Sequence, residues 1–296
     1  MIKLKTLFIS LLLITVVGVA WAQQRSADQM TMDEKVAAGL PFHKDRSEAV
    51  APFNVIANIY SVGSKDLGVY LITTDEGHIL VDTGVAEMHQ QILNNVDALG
   101  FKIKDIKILL STHAHFDHVQ GHEAMRQATG AEVMAVGLDA EALRLGKDIS
   151  PLGFEGWEPV KDVKTLKHED LVKLGGMILK AHEIPGHTQG CTVWEMNVTE
   201  ERTRTNVAIF GCRGPNDIVK VQNNKDFPDL VEQTLLGFKR LKEIKPDIYL
   251  SNHTESVYRD FGAPLRRGDR PHPLLQQRPW LEMVASLEQG FRSRLH

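Results

Sequence analysis

The sequence predicts a layered α/β domain, with buried strands flanked by helices. Three observations point there. Short β-branched and apolar runs are bounded by turn residues, amphipathic helical segments lie between many of them, and two buried-type strands run straight into histidine-bearing loops. Strands and helices alternate along the chain instead of segregating, which argues against an all-α or all-β domain.

The first residues stand apart from that pattern. Lys3 and Lys5 precede a nearly unbroken apolar run from Leu7 to Val19, and Ala20-Trp21-Ala22 supplies a small-x-small cleavage pattern. The run is shorter than the roughly 20 apolar residues of a membrane span. Residues 1–22 are therefore expected to be a cleaved signal peptide, with an uncleaved anchor as the rival, and the destination is expected to be a bacterial periplasm. Residues 23–50 are polar and poorly periodic, as in an arm wrapping the surface, and residues 51–296 form the expected single domain.

The domain starts with strand-like runs at Val55–Val62, Val69–Thr73 and His78–Asp82, separated by Gly-Ser-Lys-Asp and Asp-Glu-Gly turns. Glu87–Leu99 reads as a helix with Ile92, Val96 and Leu99 at helical spacing and Gly100 just past its end. Ile106–Ser111 is a buried-type strand leading into His113. Gly121–Thr129 then reads as helix, Glu132–Val136 as strand and Leu138–Leu145 as helix. Hairpins are expected around Gly175-Gly176 and Thr199–Thr203, an amphipathic helix over Asp229–Ile244, and a strand over Ile248–Ser251 that ends at His253. The last helix, about Arg278–Leu295, aligns Trp280, Val284, Leu287 and Phe291 on a stripe suited to core packing.

Loss of Lys3 and Lys5 with the leader leaves 32 basic against 38 acidic residues, a net charge of −6. No basic tract occurs, so a nucleic-acid or anionic-membrane binder is not expected. The expected partner is a small molecule, and a monomer is marginally favoured. With only Cys191 and Cys212 the chain is not a disulfide scaffold.

Chemistry concentrates in Ser111-Thr-His113-Ala-His115-Phe-Asp117-His118, which packs three imidazoles and a carboxylate into six residues just after a buried strand. These donors suit zinc. One ion rarely takes four ligands from so short a stretch, so two ions about 3.5–4 Å apart are the more natural use. His187, in Pro185-Gly-His-Thr, and His253, in Ser-Asn-His-Thr, also sit where strands run out into loops, the places where α/β folds gather functional groups. The remaining histidines, such as His43, His89 and His168, read as surface or packing residues, with His122 and His182 the least clear.

These motifs resemble the metallo-β-lactamase superfamily, and within it subclass B3. Gly68-Val-Tyr-Leu-Ile-Thr-Thr, Gly77-His-Ile-Leu-Val-Asp82, the His113–His118 cluster and Pro185-Gly-His-Thr-Gln-Gly-Cys-Thr-Val-Trp194 carry the likeness, which extends over about residues 50–290. The resemblance implies a four-layer αββα sandwich with the metals at one edge. It assigns His113, His115 and His187 to one zinc ion and Asp117, His118 and His253 to a second. It also implies that Asp82 is a carboxylate orienting the ligands, although a strand-end turn residue is an equally ordinary use of that position. The implied reaction is attack of a zinc-bound hydroxide, aligned by Asp117, on the carbonyl of a β-lactam.

One position departs from the pattern. Where lactonase-like and glyoxalase II-like members often carry a bridging aspartate, this chain has Cys212, which counts against those readings. Three roles stay open for it. It could be a thiolate near the second metal, an inert buried thiol, or a disulfide partner of Cys191. In a hairpin pairing Trp194 with Ile209 and Met196 with Val207, Cys191 falls opposite Cys212. Serine hydroxyls often hold the substrate carboxylate in the subclass; here Arg213 and Asn216 are the nearest candidates, with Lys220 weaker. Two alternatives to a β-lactamase remain: a metallo-hydrolase of the same fold acting on a lactone, ester or thioester, and a noncatalytic zinc-binding protein.

Overall fold

The structure is a computed structural model that describes residues 44–153, 156–254 and 262–295. The expected leader and most of the expected arm lie outside the described residues. Seven strands form the first sheet, in the order β1 (Phe53–Ile56), β2 (Ile59–Ser61), β3 (Tyr70–Thr74), β4 (Gly77–Val81), β5 (Ile106–Leu110), β6 (Glu132–Val136) and β7 (Val163–Leu166). The second sheet runs β12 (Ile248–Ser251), β11 (Thr203–Phe210), β10 (Thr192–Glu200), β9 (Met177–Glu183) and β8 (Leu171–Leu174).

The apolar pattern of each strand fixes which layer it faces. Ile79 and Val81 on β4, Met134 and Val136 on β6, and Trp194, Met196, Val207 and Ile209 on β10 and β11 pack together between the sheets. Their alternates point outward and meet helices. Leu80, Val133 and Ala135 pack with Ile92 and Val96 of α1 (His89–Ala98), Met125 of α3 (His122–Thr129) and Leu143 of α4 (Gly137–Leu145). α2 (Phe116–Val119) lies between α1 and α3 in sequence. On the other side Val193, Ala208 and Phe210 pack with Phe238 of α5 (Leu230–Glu243) and with Trp280, Val284 and Phe291 of α6 (Trp280–Ser293). Helix, sheet, sheet, helix is the four-layer αββα sandwich, and strands buried on both faces explain the near-continuous apolar runs.

One expected strand proved to be two. Val55–Val62 is broken at Ala57, whose φ of 47° turns the chain, so that Phe53 pairs back with Ser61. The side-chain amide of Asn54 closes this turn on the Ala57 carbonyl at 2.7 Å. β7 carries no strand signal in the sequence, because two exposed residues between buried ends give no clean alternation.

Strand direction gathers the site. β4 and β5 are parallel, as are β11 and β12, so Asp82, Ser111 and Asn252 all emerge at one end of the sandwich. Two bonds clamp the sheets together there. Thr192 N donates to the Thr112 carbonyl at 2.7 Å, and the indole of the fully buried Trp194 donates to the Ser111 carbonyl at 3.0 Å.

The β10–β11 register pairs Trp194 with Ile209 and Met196 with Val207. Cys191 and Cys212 lie just past the ladder, with Cα atoms 5.8 Å apart, and form a disulfide. Both the metal-adjacent thiolate and the inert thiol are therefore corrected: Cys212 carries no free sulfur. The separation of Cys191 and Cys212 lies within the Cα range that a disulfide spans. Unreduced, denatured protein should accordingly titrate no thiols with a chromogenic disulfide reagent, and two after reduction. Two thiols before reduction would contradict the bridge.

Candidate metal centre

Each histidine is delivered by a strand end or by the loop it feeds. His113 and His115 follow β5, Asp117 and His118 sit on the first turn of α2, His187 occupies the β9–β10 turn, and His253 follows β12. The rings converge. The His113 centroid lies 4.7 Å from that of His115, 4.3 Å from His118 and 4.6 Å from His187, while His118 is 4.8 Å from His253. Donor atoms of His113, His115 and His187 lie within 4.8 Å of one another, and so do those of His113, Asp117 and His118. The sequence placed His253 with Asp117 and His118. Its Nε2 lies 3.2 Å from His118 Nε2 and 3.8 Å from Asp117 Oδ2.

Outer groups choose which nitrogen of each ring faces inward. His115 Nε2 bonds Ser150 Oγ at 2.9 Å and lies 3.7 Å from Asp148, which leaves Nδ1 toward the cluster. His187 Nδ1 bonds the Gly214 carbonyl at 2.9 Å, which leaves Nε2. His113 Nε2 is buried with no hydrogen-bond partner among the described residues. A buried ring nitrogen without a partner is costly unless something fills the gap. A metal ion fits this donor set, with imidazole nitrogens and one carboxylate of the type zinc accepts.

Charge supports the same reading. Burial and the neighbouring rings push His113 and His253 well below the ordinary histidine value. Burial lowers His115 to about 4 and His187 to about 3. These rings are neutral near pH 7, with lone pairs available to a cation. Burial also pulls on His118, but Asp117 and the hydrogen bond to Asp82 outweigh it and raise His118 above the usual value. Burial would raise Asp117, yet His118, His253 and Arg46 hold it well below the carboxylate range.

Around the donors runs a shell of hydrogen bonds. Asp82, fully buried with a φ of 64°, accepts from Thr112 N at 2.6 Å and Thr112 Oγ1 at 2.7 Å, and lies 3.4 Å from His118 Nδ1. That backbone conformation is uncommon for a non-glycine residue and turns the carboxylate across the edge of the sheet. An aspartate bonded to three partners in this way is more than a turn residue.

This fold, with five histidines and an aspartate converging at its sheet ends, has a counterpart among known proteins. Residues 69–199 match the metallo-beta-lactamase superfamily. A β-lactamase from Chitinophaga pinensis is 31% identical, with a TM-score of 0.79 over 86% of this chain and 97% of that one. A subclass B3 metallo-β-lactamase of Bradyrhizobium japonicum is 32% identical, with a TM-score of 0.75 over 85% of this chain and 96% of that one. The chain belongs to the metallo-β-lactamase superfamily. Its structural likeness is to subclass B3. Curated sequence relatives differ in kind: a hydroxyacylglutathione hydrolase of Cereibacter sphaeroides is 36% identical over 99 residues, 33% of this chain and 31% of that protein. Another, from Anaeromyxobacter dehalogenans, is 31% identical over half of this chain and 49% of its own length. The chain thus spans about a third to a half of the length of these curated relatives. Superfamily membership, together with the His/Asp cluster, supports a metal-binding hydrolase.

The residues expected to take substrate fare unevenly. Arg213 donates to Ser251 Oγ at 3.1 Å, two residues from His253, so its guanidinium borders the cluster. Asn216 instead spends its side-chain oxygen on Ile218 N at 3.3 Å, closing a local turn, and Lys220 is exposed. Cys212 is excluded as a ligand by its disulfide. His122 bonds Thr83 Oγ1 at 2.7 Å and His182 pairs with Glu195 at 2.6 Å, so both are structural.

Several important residues gave no signal in the sequence. Asp139 on α4 accepts from Ala114 N at 2.8 Å, Thr188 Oγ1 at 2.6 Å and Gly190 N at 2.9 Å, tying the loop of His113 and His115 to that of His187. Burial raises its pKa to about 6 against the pull of those bonds. Asn252 donates to Thr112 Oγ1 at 2.8 Å beneath His113 and His118. Arg294 of the C-terminal segment donates to the carbonyls of Pro215, Asn216 and Val219, fixing the loop whose Gly214 orients His187. Only Asn252, beside His253, could have been suspected. The others come from distant, polar, aperiodic stretches.

Two measurements probe this arrangement. Asp139→Ala should weaken zinc binding at the His113–His115–His187 group by about 10–100-fold, as losses of groups that orient ligands do. A chelator-competition titration with unchanged affinity would remove Asp139 from that role. Acidification should separate the two donor groups, because His118 keeps its proton as pH falls through neutrality while His115 and His187 titrate only near 4 and 3. At about pH 6 zinc bound through His118 should therefore be lost before zinc bound through His115 and His187. Simultaneous loss would refute the assignment.

Proposed function

We propose that the protein is a di-zinc β-lactamase that opens the β-lactam ring, exported to the periplasm after loss of residues 1–22. One observation carries the substrate reading. The position where a bridging carboxylate would serve the lactonase and thioesterase members is occupied by Cys212, locked to Cys191 and withdrawn from the metals. The donor set is then His113, His115 and His187 for one ion and Asp117, His118 and His253 for the other. Structural likeness over nearly the full length of β-lactamases supports this, against partial sequence matches to thioester hydrolases. The disulfide supports export, since such bonds persist in oxidising compartments.

Bound zinc would supply Lewis acidity toward the carbonyl and lower the pKa of water to near neutrality. The chain's own residues do the rest. Asp117, held ionised, accepts a hydrogen bond from the attacking water and aligns it. As the one carboxylate of the donor set it would also take up the proton that the water gives off and pass it to the departing nitrogen when the C–N bond breaks. Ser150 and Gly214 hold His115 and His187 in the orientation and tautomer that expose the inward nitrogen. Arg213, positioned by Ser251, offers a guanidinium for the carboxylate that β-lactams carry.

A thioester hydrolase on the same scaffold is the second reading, favoured by the curated sequence relatives. One panel separates the two. Zinc-loaded mature protein is given a chromogenic cephalosporin, a hydroxyacyl-glutathione thioester and a neutral lactone. Turnover of the cephalosporin that disappears with chelator and returns with zinc is the expected result. Turnover of the thioester alone would overturn the β-lactamase reading while preserving the metal centre.

A further inference from the structure

Arg46 belongs to the polar segment that precedes the first strand, yet its side chain is only 16% exposed. Its Nη1 lies 2.6 Å from Asp117 Oδ2, the only carboxylate among the six expected ligands. The segment is pinned in place by several contacts. Ser64 Oγ donates to the Arg46 carbonyl, Lys65 N donates to the Glu48 carbonyl at 3.0 Å, Lys65 Nζ pairs with Glu48 at 2.8 Å, and Ala49 bridges Ser64. The loop that receives it also carries the second donor group, since Leu67 bridges His253 and Gly68 N donates to the Asn252 carbonyl at 2.8 Å. The guanidinium is therefore built into the site.

We infer that Arg46 competes with the second metal ion for Asp117, so that the His113–His115–His187 group fills first and the Asp117–His118–His253 group binds more weakly. A carboxylate oxygen bonded to a guanidinium at 2.6 Å must give up that bond, or share it, when a divalent cation arrives. The guanidinium is a cation, so it repels the incoming ion as long as it stays. The first group meets no such rival among the described residues, as the groups bonded to its rings are Ser150 Oγ, the Gly214 carbonyl, Thr112 Oγ1 and Asn252 Nδ2, none of them a cation. Occupancy of the second site then depends on the metal supply and on the segment carrying Arg46, whatever the substrate. The inference rests on the two-site reading of the centre.

Zinc titration of the apo-protein against a chromophoric chelator tests it without reference to turnover. Wild-type protein should bind two equivalents in two separated steps. In Arg46→Ala the second dissociation constant should fall about 10-fold or more, the scale of a unit charge a few ångströms from a divalent ion under full water-like screening, while the first changes little. Arg46→Gln should behave alike and replaces the alanine variant if that one fails to fold. Arg46→Lys, which keeps the charge, should keep the weak second step. A second step that is unchanged or weaker in both neutral variants would overturn the competition. A single equivalent in wild type and variants alike would overturn the two-site reading itself, whereas one in wild type and two in the neutral variants would support the block directly.

Discussion

Everything at the sheet ends depends on keeping several imidazoles in contact without charging them. The rings of His113, His115, His118, His187 and His253 sit with neighbouring centroids 4.3 to 4.8 Å apart, most of them almost wholly buried. Two protonated rings at that distance in a poorly solvated pocket would repel by several kcal/mol. Burial settles the matter for four of them by driving their pKa values down. Among the neutral rings His113 Nε2 stays buried with no hydrogen-bond partner among the described residues, and a cation fits both the crowding and that nitrogen.

Such an arrangement has to be held by the fold, because nothing in the bare donors favours it. Three polar residues do this from different layers. Asp82 ends β4 and reaches across to the loop after β5; Asp139 comes from the helix after β6 and ties that loop to the β9–β10 turn; Asn252 comes from the second sheet and lies under both. Each bonds backbone groups or short side chains, so each fixes loop geometry before any metal arrives. Between them the two sheets are locked by Trp194 and Thr192. The C-terminal segment adds the last constraint through Arg294 and the loop that orients His187.

The parts legible in the sequence share one property: they are local. Glu132–Val136 shows its strand through composition alone, and the helices over Leu230–Glu243 and Trp280–Ser293 show theirs through spacing. His113 to His118 are legible because ligands that share a turn must be close in sequence. His187 and His253 needed the cluster, and the resemblance built on it, to stand out. Illegible were the contacts that join remote stretches. Asp139 bonds Gly190 across 51 positions, and Arg46 bonds Asp117 across 71. Neither has a periodic or compositional mark, since one buried carboxylate or one rim guanidinium looks like any other surface charge until the fold closes. Cys212 lies between these cases. Its pairing followed from hairpin register, but register alone could not exclude a metal-bound thiolate, and only the three-dimensional path of the strands past the ladder does so.

The disulfide also bears on substrate charge. With Cys212 removed from the donors, the centre offers a single carboxylate, Asp117, against five imidazoles, four of which burial keeps neutral. Divalent ions held by such a set keep most of their positive charge, and Arg46 and Arg213 add to it on the same side, both acting to depress His253. A bridging carboxylate at position 212 would have cancelled part of that field. The pocket therefore attracts anions more strongly than a seven-donor centre would, which favours a substrate carrying a carboxylate close to the bond that breaks. A β-lactam has that arrangement, and a neutral lactone has none. A glutathione thioester carries its carboxylates further from the thioester carbonyl, so it would gain from the field only at long range, away from the reach of Arg213 beside Ser251.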